Sequence, residues 1–182
     1  GLTFDVAVHF GSLFAVIVYF RSEVRDLIHQ LVALLRNILA FKFELGNEPV
    51  KEEGLIDLIH LIVATIPILL AGFILKDLAE NQLRSLPIIA TSTILFGLIL
   101  WLADNKGTAR KTTTRMNLSQ AFLIGVAQIA AIIPGASRSG VTISAGLFLG
   151  LDRESASRFS LMLGIPTICG AMILLTSQIP IA

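Results

Sequence analysis

Ser137, Arg138, Ser139 and Thr142 lie within six residues of one another, directly after the helix-breaking pair Pro134-Gly135. Residues of those types in that order can hold an oxyanion. Glycine lets the backbone approach closely, and the N–H groups that open the following helix carry partial positive charge outward. Arg138 adds a planar, permanently charged fork that matches two phosphate oxygens. The serine and threonine hydroxyls can donate to the oxygens that remain. Shielded from water, such a set would bind phosphate or diphosphate and stabilise the charge that builds up in phosphoryl transfer. A plainer role fits the same residues. Serine and threonine cap helices, Gly-Ala-Ser permits tight packing, and a single arginine can snorkel to headgroups. The residues alone do not choose between an anion site and a capped loop. The stretch lacks the Gly-Lys-Ser/Thr ending of a Walker loop, so nothing supports nucleotide binding.

Other chemistry is sparse. His9, His29 and His60 are scattered, with no metal-ligand spacing among them, so no metal site is expected in the chain itself. Asp5 and His9 stand four apart and share a helical face. They are expected at a membrane surface or against a neighbouring helix, because ionisable residues in a span normally face the protein interior. Cys169 is the single cysteine and has no intrachain partner, so cysteine usage says nothing about compartment.

The elements that must position these residues are apolar. The chain is 54% hydrophobic and only 15% charged, with a mean hydropathy of +0.81. A soluble domain carries about 25% charged residues, so the class expected is all-α, a polytopic membrane protein forming a single integral-membrane domain over 1–182. A net charge of +1 gives no bias towards nucleic acid. A span takes about 20 mostly apolar residues, and spans are expected at about 2–20, 55–75, 86–102 and 159–176. Apolar residues at three- and four-residue steps from Arg21 make an amphipathic helix, and Gly46-Asn47-Glu48-Pro49 ends it. The loop from Asp104 to Asn117 is the most basic. Two spans separate it from the segment Arg21 to Lys51, so both must lie on one side. Together they carry Arg21, Arg25, Arg36, Lys42, Lys51, Lys106, Arg110, Lys111 and Arg115, against Lys76 and Arg84 in the joint between the spans. That bias marks the cytoplasmic face. The runs on either side of Pro134-Gly135 are too short to cross, which predicts a re-entrant or broken-helix hairpin over about 118–151.

Gln128 to Thr142, reading Q-I-A-A-I-I-P-G-A-S-R-S-G-V-T, resembles the PG-x-SRS-x-x-T motif of the undecaprenyl-diphosphate phosphatases, also called bacitracin-resistance proteins. Phe4 to Ser12, the stretch from Leu58 to Pro67, and Arg158-Phe159-Ser160 also look like family sequence, so the resemblance covers nearly the whole chain. It implies a multi-pass protein of the bacterial plasma membrane, built as interlocked inverted repeats. The implied activity is hydrolysis of undecaprenyl diphosphate to the monophosphate, which recycles the lipid carrier for cell-wall synthesis. Arg138, Ser137 and Ser139 would be catalytic, and Gly135, Ser137, Arg138, Ser139, Thr142 and Gln128 would bind the substrate. The resemblance also implies a divalent cation (Mg or Ca) held mainly by the substrate's phosphates, an isoprenoid diphosphate lipid and membrane lipids as partners, and a homodimer as one assembly. The family's other motif, with paired glutamates four apart, a Pro-x-Ser-Ser stretch and a histidine, does not occur in this chain. Gln128 stands where the repeat partner of one glutamate would fall, and an amide cannot act as a base. The chain opens on Gly1 rather than Met and reads as a fragment truncated at both ends, expected to bind a diphosphate better than it cleaves one. Two other readings remain open at this point. One is a transporter or flippase of a phosphorylated lipid carrier, since half-helix N-termini facing an anion are also transporter features; the other is a structural membrane subunit.

Overall fold

The computed structural model describes residues 2–39, 52–81, 85–107, 113 and 115–176. Among them are seven α-helices: α1 (Leu2–Tyr19), α2 (Arg21–Leu39), α3 (Glu52–Asn81), α4 (Leu86–Gly107), α5 (Leu118–Gln128), α6 (Arg138–Phe148) and α7 (Arg153–Thr176). A 3₁₀ turn, Ile129–Ile132, continues α5. Two helices contain stretches long and apolar enough to cross a membrane, Gly54–Leu75 in α3 and Leu86–Lys106 in α4. The fold is all-α, as the composition predicts. The side chains of Asp5, His9 and Lys76, the turn Gly46-Asn47-Glu48-Pro49, and Lys42, Lys51, Arg84, Arg110 and Lys111 lie outside the described residues.

α3 is the centre of the packing and touches α2, α5 and α7. Its contact with α5 is backbone on backbone. A Cβ added to Gly125 would stand 2.4 Å from Ala64 O and 2.7 Å from Ala64 Cα, so only glycine allows the helices this close, in the manner of small-residue interfaces in membranes. Ala64 and Ile124 sit in the core with Phe20, Leu61, Leu147, Leu151, Met162 and Leu163. Gly125→Val is therefore expected to destabilise the fold by about 1–3 kcal/mol through overpacking, read as a lower thermal midpoint of the intact protein in detergent. The outer faces remain apolar: Phe10, Phe14, Ile66, Leu70, Phe73, Ile94, Leu98 and Trp101 are all exposed. A surface so continuous in large apolar side chains belongs against lipid.

α7 starts earlier than the apolar run at Phe159 predicts. Asp152 caps it, its Oδ1 accepting the Ser155 N–H at 2.7 Å and its carbonyl accepting the Ala156 N–H. The polar stretch Arg153 to Arg158 is thus the first two turns of the helix, because an aspartate at the N-cap satisfies the open donors. Arg153 then forks onto Asp104 of α4, with Nη2 2.7 Å from Oδ2, and Arg158 reaches Glu23 of α2 at 3.3 Å.

α5 and α6 form a closed hairpin. Asn117 and Gln120 make a reciprocal capping box at the start of α5, and the Gln120 amide also donates to Leu149 O at 3.0 Å, across the hairpin's base. Thr113 N–H donates to Gly150 O, and Asp152 N–H to Thr113 O. α6 has 11 residues, a rise of about 16 Å, and α5 with its 3₁₀ turn runs from Leu118 to Ile132, a rise of about 24 Å, against a hydrocarbon core of about 30 Å. The tip of the hairpin is at Pro134-Gly135.

Candidate functional site

The tip is a β-turn. Ala136 N–H donates to Ile133 O at 3.1 Å, and Ile133 before the proline is extended, with φ −72 and ψ 120, as a following proline ring demands. Gly135 has a φ of 92, the left-handed value that the third position of a type II turn requires. It also lies against α4, where an added Cβ would stand 2.4 Å from both Ile89 O and Ser92 Oγ. Glycine is needed twice over, for its φ and for its lack of a side chain.

Ser137 then caps α6, its Oγ accepting the Gly140 N–H at 3.2 Å and lying 3.3 Å from Ser139 Oγ. Gly135 and Ser137 are exposed, and Arg138 and Ser139 are half-buried, so backbone, hydroxyls and guanidinium meet at one accessible mouth. Arg138 leans onto α7. Its Nη1 donates to Ser160 O at 2.9 Å, and a Cβ at Gly164 would collide with Nη2 at 2.4 Å. The guanidinium lies over a bare notch in α7 and uses one N–H to anchor itself there. Its other donors are what an anion can use.

Thr142 is 1% exposed, its Oγ1 is 2.6 Å from the buried Ser160 Oγ, and Arg138 O lies 3.1 Å away. In this arrangement the hydroxyl fastens α6 to α7. Gln128 is fully buried. Its Oε1 is 3.4 Å from Thr167 Oγ1, a long contact, and Thr167 directs its single proton to Leu163 O at 2.8 Å. Gln128 Nε2 has no partner among the described residues. Arg138 and Gln128 meet the same stripe of α7, Ser160–Gly164 and Thr167, one helical turn apart.

The groups at the mouth are a guanidinium, hydroxyls and backbone. None of these side chains is a carboxylate, the side-chain ligand that Mg and Ca prefer, and no cluster of metal-ligating side chains occurs among the described residues. The donor set suits an anion and does not suit a cation. His60 is buried in α3, on a different element from the mouth.

Residues 1–180 match the model of the family described as bacitracin resistance protein BacA. The chain belongs to that family. Among curated relatives it is similar to undecaprenyl-diphosphatase 1 of Pseudoalteromonas translucida, 45% identical over 168 residues, which are 92% of this chain and 59% of the relative. It is 46% identical to the undecaprenyl-diphosphatase of Teredinibacter turnerae over 168 residues, 92% of this chain and 60% of that protein. It is also 42% identical to that of Alteromonas mediterranea over 176 residues, 97% and 62% of the two chains. The chain thus spans about 60% of the length of the curated relatives it matches.

Within this BacA-family chain, the motif reading overlooked Ser92 and Thr93 of α4 and Gly164 of α7. The first two left a trace in the sequence, since Thr91-Ser92-Thr93 places three hydroxyls in an otherwise apolar run. Gly164 left none, because one more glycine in a loosely packed membrane helix is ordinary.

Proposed function

We propose that this chain is the phosphate-gripping part of an integral-membrane lipid diphosphatase, which hydrolyses undecaprenyl diphosphate to undecaprenyl phosphate and inorganic phosphate. One observation carries the reading. A helix N-terminus, two serines and an anchored arginine meet at the tip of a hairpin whose surroundings are apolar, which suits a doubly phosphorylated headgroup on a greasy chain. The names of the relatives agree with that substrate. Arg138 and the α6 N–H groups would bind and orient the diphosphate and neutralise charge as the phosphoanhydride bond breaks. No carboxylate or imidazole stands among the groups at the mouth, so activation of water falls to groups beyond it. A divalent cation would ride on the phosphates and not on these residues.

The reading includes a multi-pass protein of the bacterial plasma membrane, with α5 and α6 as a re-entrant pair. The tip lies beside Ile89, Ser92 and Thr93 near the start of α4, whereas the base is tied to Asp104 near its end through Arg153. Those positions differ by about 20 Å along α4 at the helical rise. Lys106 and Arg115 flank the base, so with the basic loops in the cytoplasm the mouth opens towards the opposite face.

The test is phosphate release from undecaprenyl diphosphate by the purified full-length protein in vesicles, with movement of the lipid between leaflets followed in parallel. Phosphate release supports the diphosphatase. Movement without release would replace it with the flippase reading. The 182-residue chain by itself is expected to bind diphosphate and to release no phosphate above the uncatalysed rate. Turnover by that piece alone would show that the mouth carries its own water-activating group.

A further inference from the structure

A carbonyl oxygen inside an anion site repels the ligand, so the direction of the Pro134–Gly135 peptide matters. Type I and type II turns differ by a rotation of this central peptide of roughly half a turn, which exchanges the sides on which the Pro134 C=O and the Gly135 N–H lie. Gly135 can adopt either backbone conformation. The turn's own hydrogen bond, from Ala136 N–H to Ile133 O, is common to both types. Something outside the turn has to select one.

α4 supplies it. Ser92 is buried, and its Oγ lies 2.5 Å from Pro134 O and 3.0 Å from Ile89 O of its own helix. With one proton to donate, the shorter contact takes it. Thr93 Oγ1 stands beside it, 3.1 Å from Gly135 O and 2.8 Å from Ile89 O, so by the same rule its proton stays on its own helix. Helix serines and threonines usually bond back to their own preceding turn, as Thr91 does to Pro87 O. Ser92 instead reaches across to a residue 42 positions away. The central carbonyl is thereby turned onto α4, and in a trans peptide the N–H points the other way.

We propose that Ser92 is a positioning residue for the anion site: its hydroxyl holds the Pro134–Gly135 peptide in the type II orientation, keeping a carbonyl oxygen out of the mouth and turning the Gly135 N–H away from α4. Neither hydroxyl touches the ligand. The inference rests on the reading of the mouth as a diphosphate site. Losing the Ser92 hydroxyl frees the peptide to rotate, and the site then spends part of its time with a negative dipole end facing a negative ligand.

The experiment uses full-length protein in detergent with a short-chain isoprenoid diphosphate, comparing Ser92→Ala, Thr93→Val, the double variant and Ser92→Thr, with Arg138→Ala alongside. The double variant is expected to raise KM about tenfold, with kcat within about twofold, as loss of a ground-state binding contact predicts. Ser92→Thr, which keeps the hydroxyl, restores KM. An unchanged KM in the double variant, while Arg138→Ala abolishes turnover, overturns the inference and leaves the reading standing. A fall in kcat or folded yield that Ser92→Thr shares assigns the hydroxyl to packing alone and overturns it as well. Absence of turnover in the wild type, or full turnover in Arg138→Ala, removes the reading and the inference together.

Discussion

Arg138→Ala is expected to lower kcat/KM for isoprenoid diphosphate hydrolysis by the full-length protein about a thousandfold, or ~4 kcal/mol of transition-state stabilisation. The guanidinium is a full positive charge at the mouth, and its half-buried position leaves it less screened than a surface charge. The fold is expected to survive. Arg138 gives α7 one hydrogen bond, to Ser160 O, and that carbonyl is also a helix acceptor that tolerates the loss. Meanwhile Thr142 and Ser160 still clasp α6 to α7. Arg138→Lys should recover only part of the activity, because an ammonium is a point charge and cannot both anchor to Ser160 O and fork onto two phosphate oxygens. The check is steady-state kinetics with a thermal melt of each variant. Activity within tenfold of wild type for Arg138→Ala, at an unchanged melting temperature, would remove the arginine from the chemistry.

The second large effect is expected at Gly135. Gly135→Ala meets two penalties: a φ of 92, which costs an L-residue about 1–2 kcal/mol, and a Cβ that would overlap Ile89 O and Ser92 Oγ. Relief requires the tip to lift from α4. Such a shift carries Ser137 and Arg138 with it, and misplacement of a catalytic group by about 1 Å can cost on the order of 10²-fold in rate. The expected result is a hundredfold loss in kcat/KM together with a lower melting temperature, in contrast to Arg138→Ala, where activity falls and stability holds. Gly72→Ala is the control. Nothing lies within 4 Å of a Cβ there, so activity should stay at the wild-type value.

The hairpin was legible in the residues because it follows from arithmetic. Two short apolar runs either side of Pro-Gly each fall below the length of a span, and in the structure they pack against each other as two short arms. The cap was legible for a similar reason, since a serine after a turn satisfies the open N–H groups of the helix it precedes. Thr142 shows where this kind of reading stops. Arg138 and Thr142 are one turn apart and share a face of α6, but which face meets α7 is set by the packing of the bundle. The structure turns the threonine inward onto Ser160, while the arginine is long enough to lie over the Gly164 notch. The start of α7 was misplaced because hydropathy marks where a helix becomes apolar, whereas Asp152 marks where it begins.

By itself the sequence determined the all-α class, the apolar exterior, the broken hairpin and the residue types at its tip, because composition, periodicity and turn chemistry are local properties of the chain. Only the tertiary structure decided which of those residues share one accessible mouth. The orientation of the Pro134–Gly135 peptide depends on the Ser92 hydroxyl 42 residues upstream, and the aim of Arg138 depends on a carbonyl 22 residues downstream. Such contacts exist only once α4, α6 and α7 have packed, since what fixes a side chain's direction is the neighbour that excludes the alternatives.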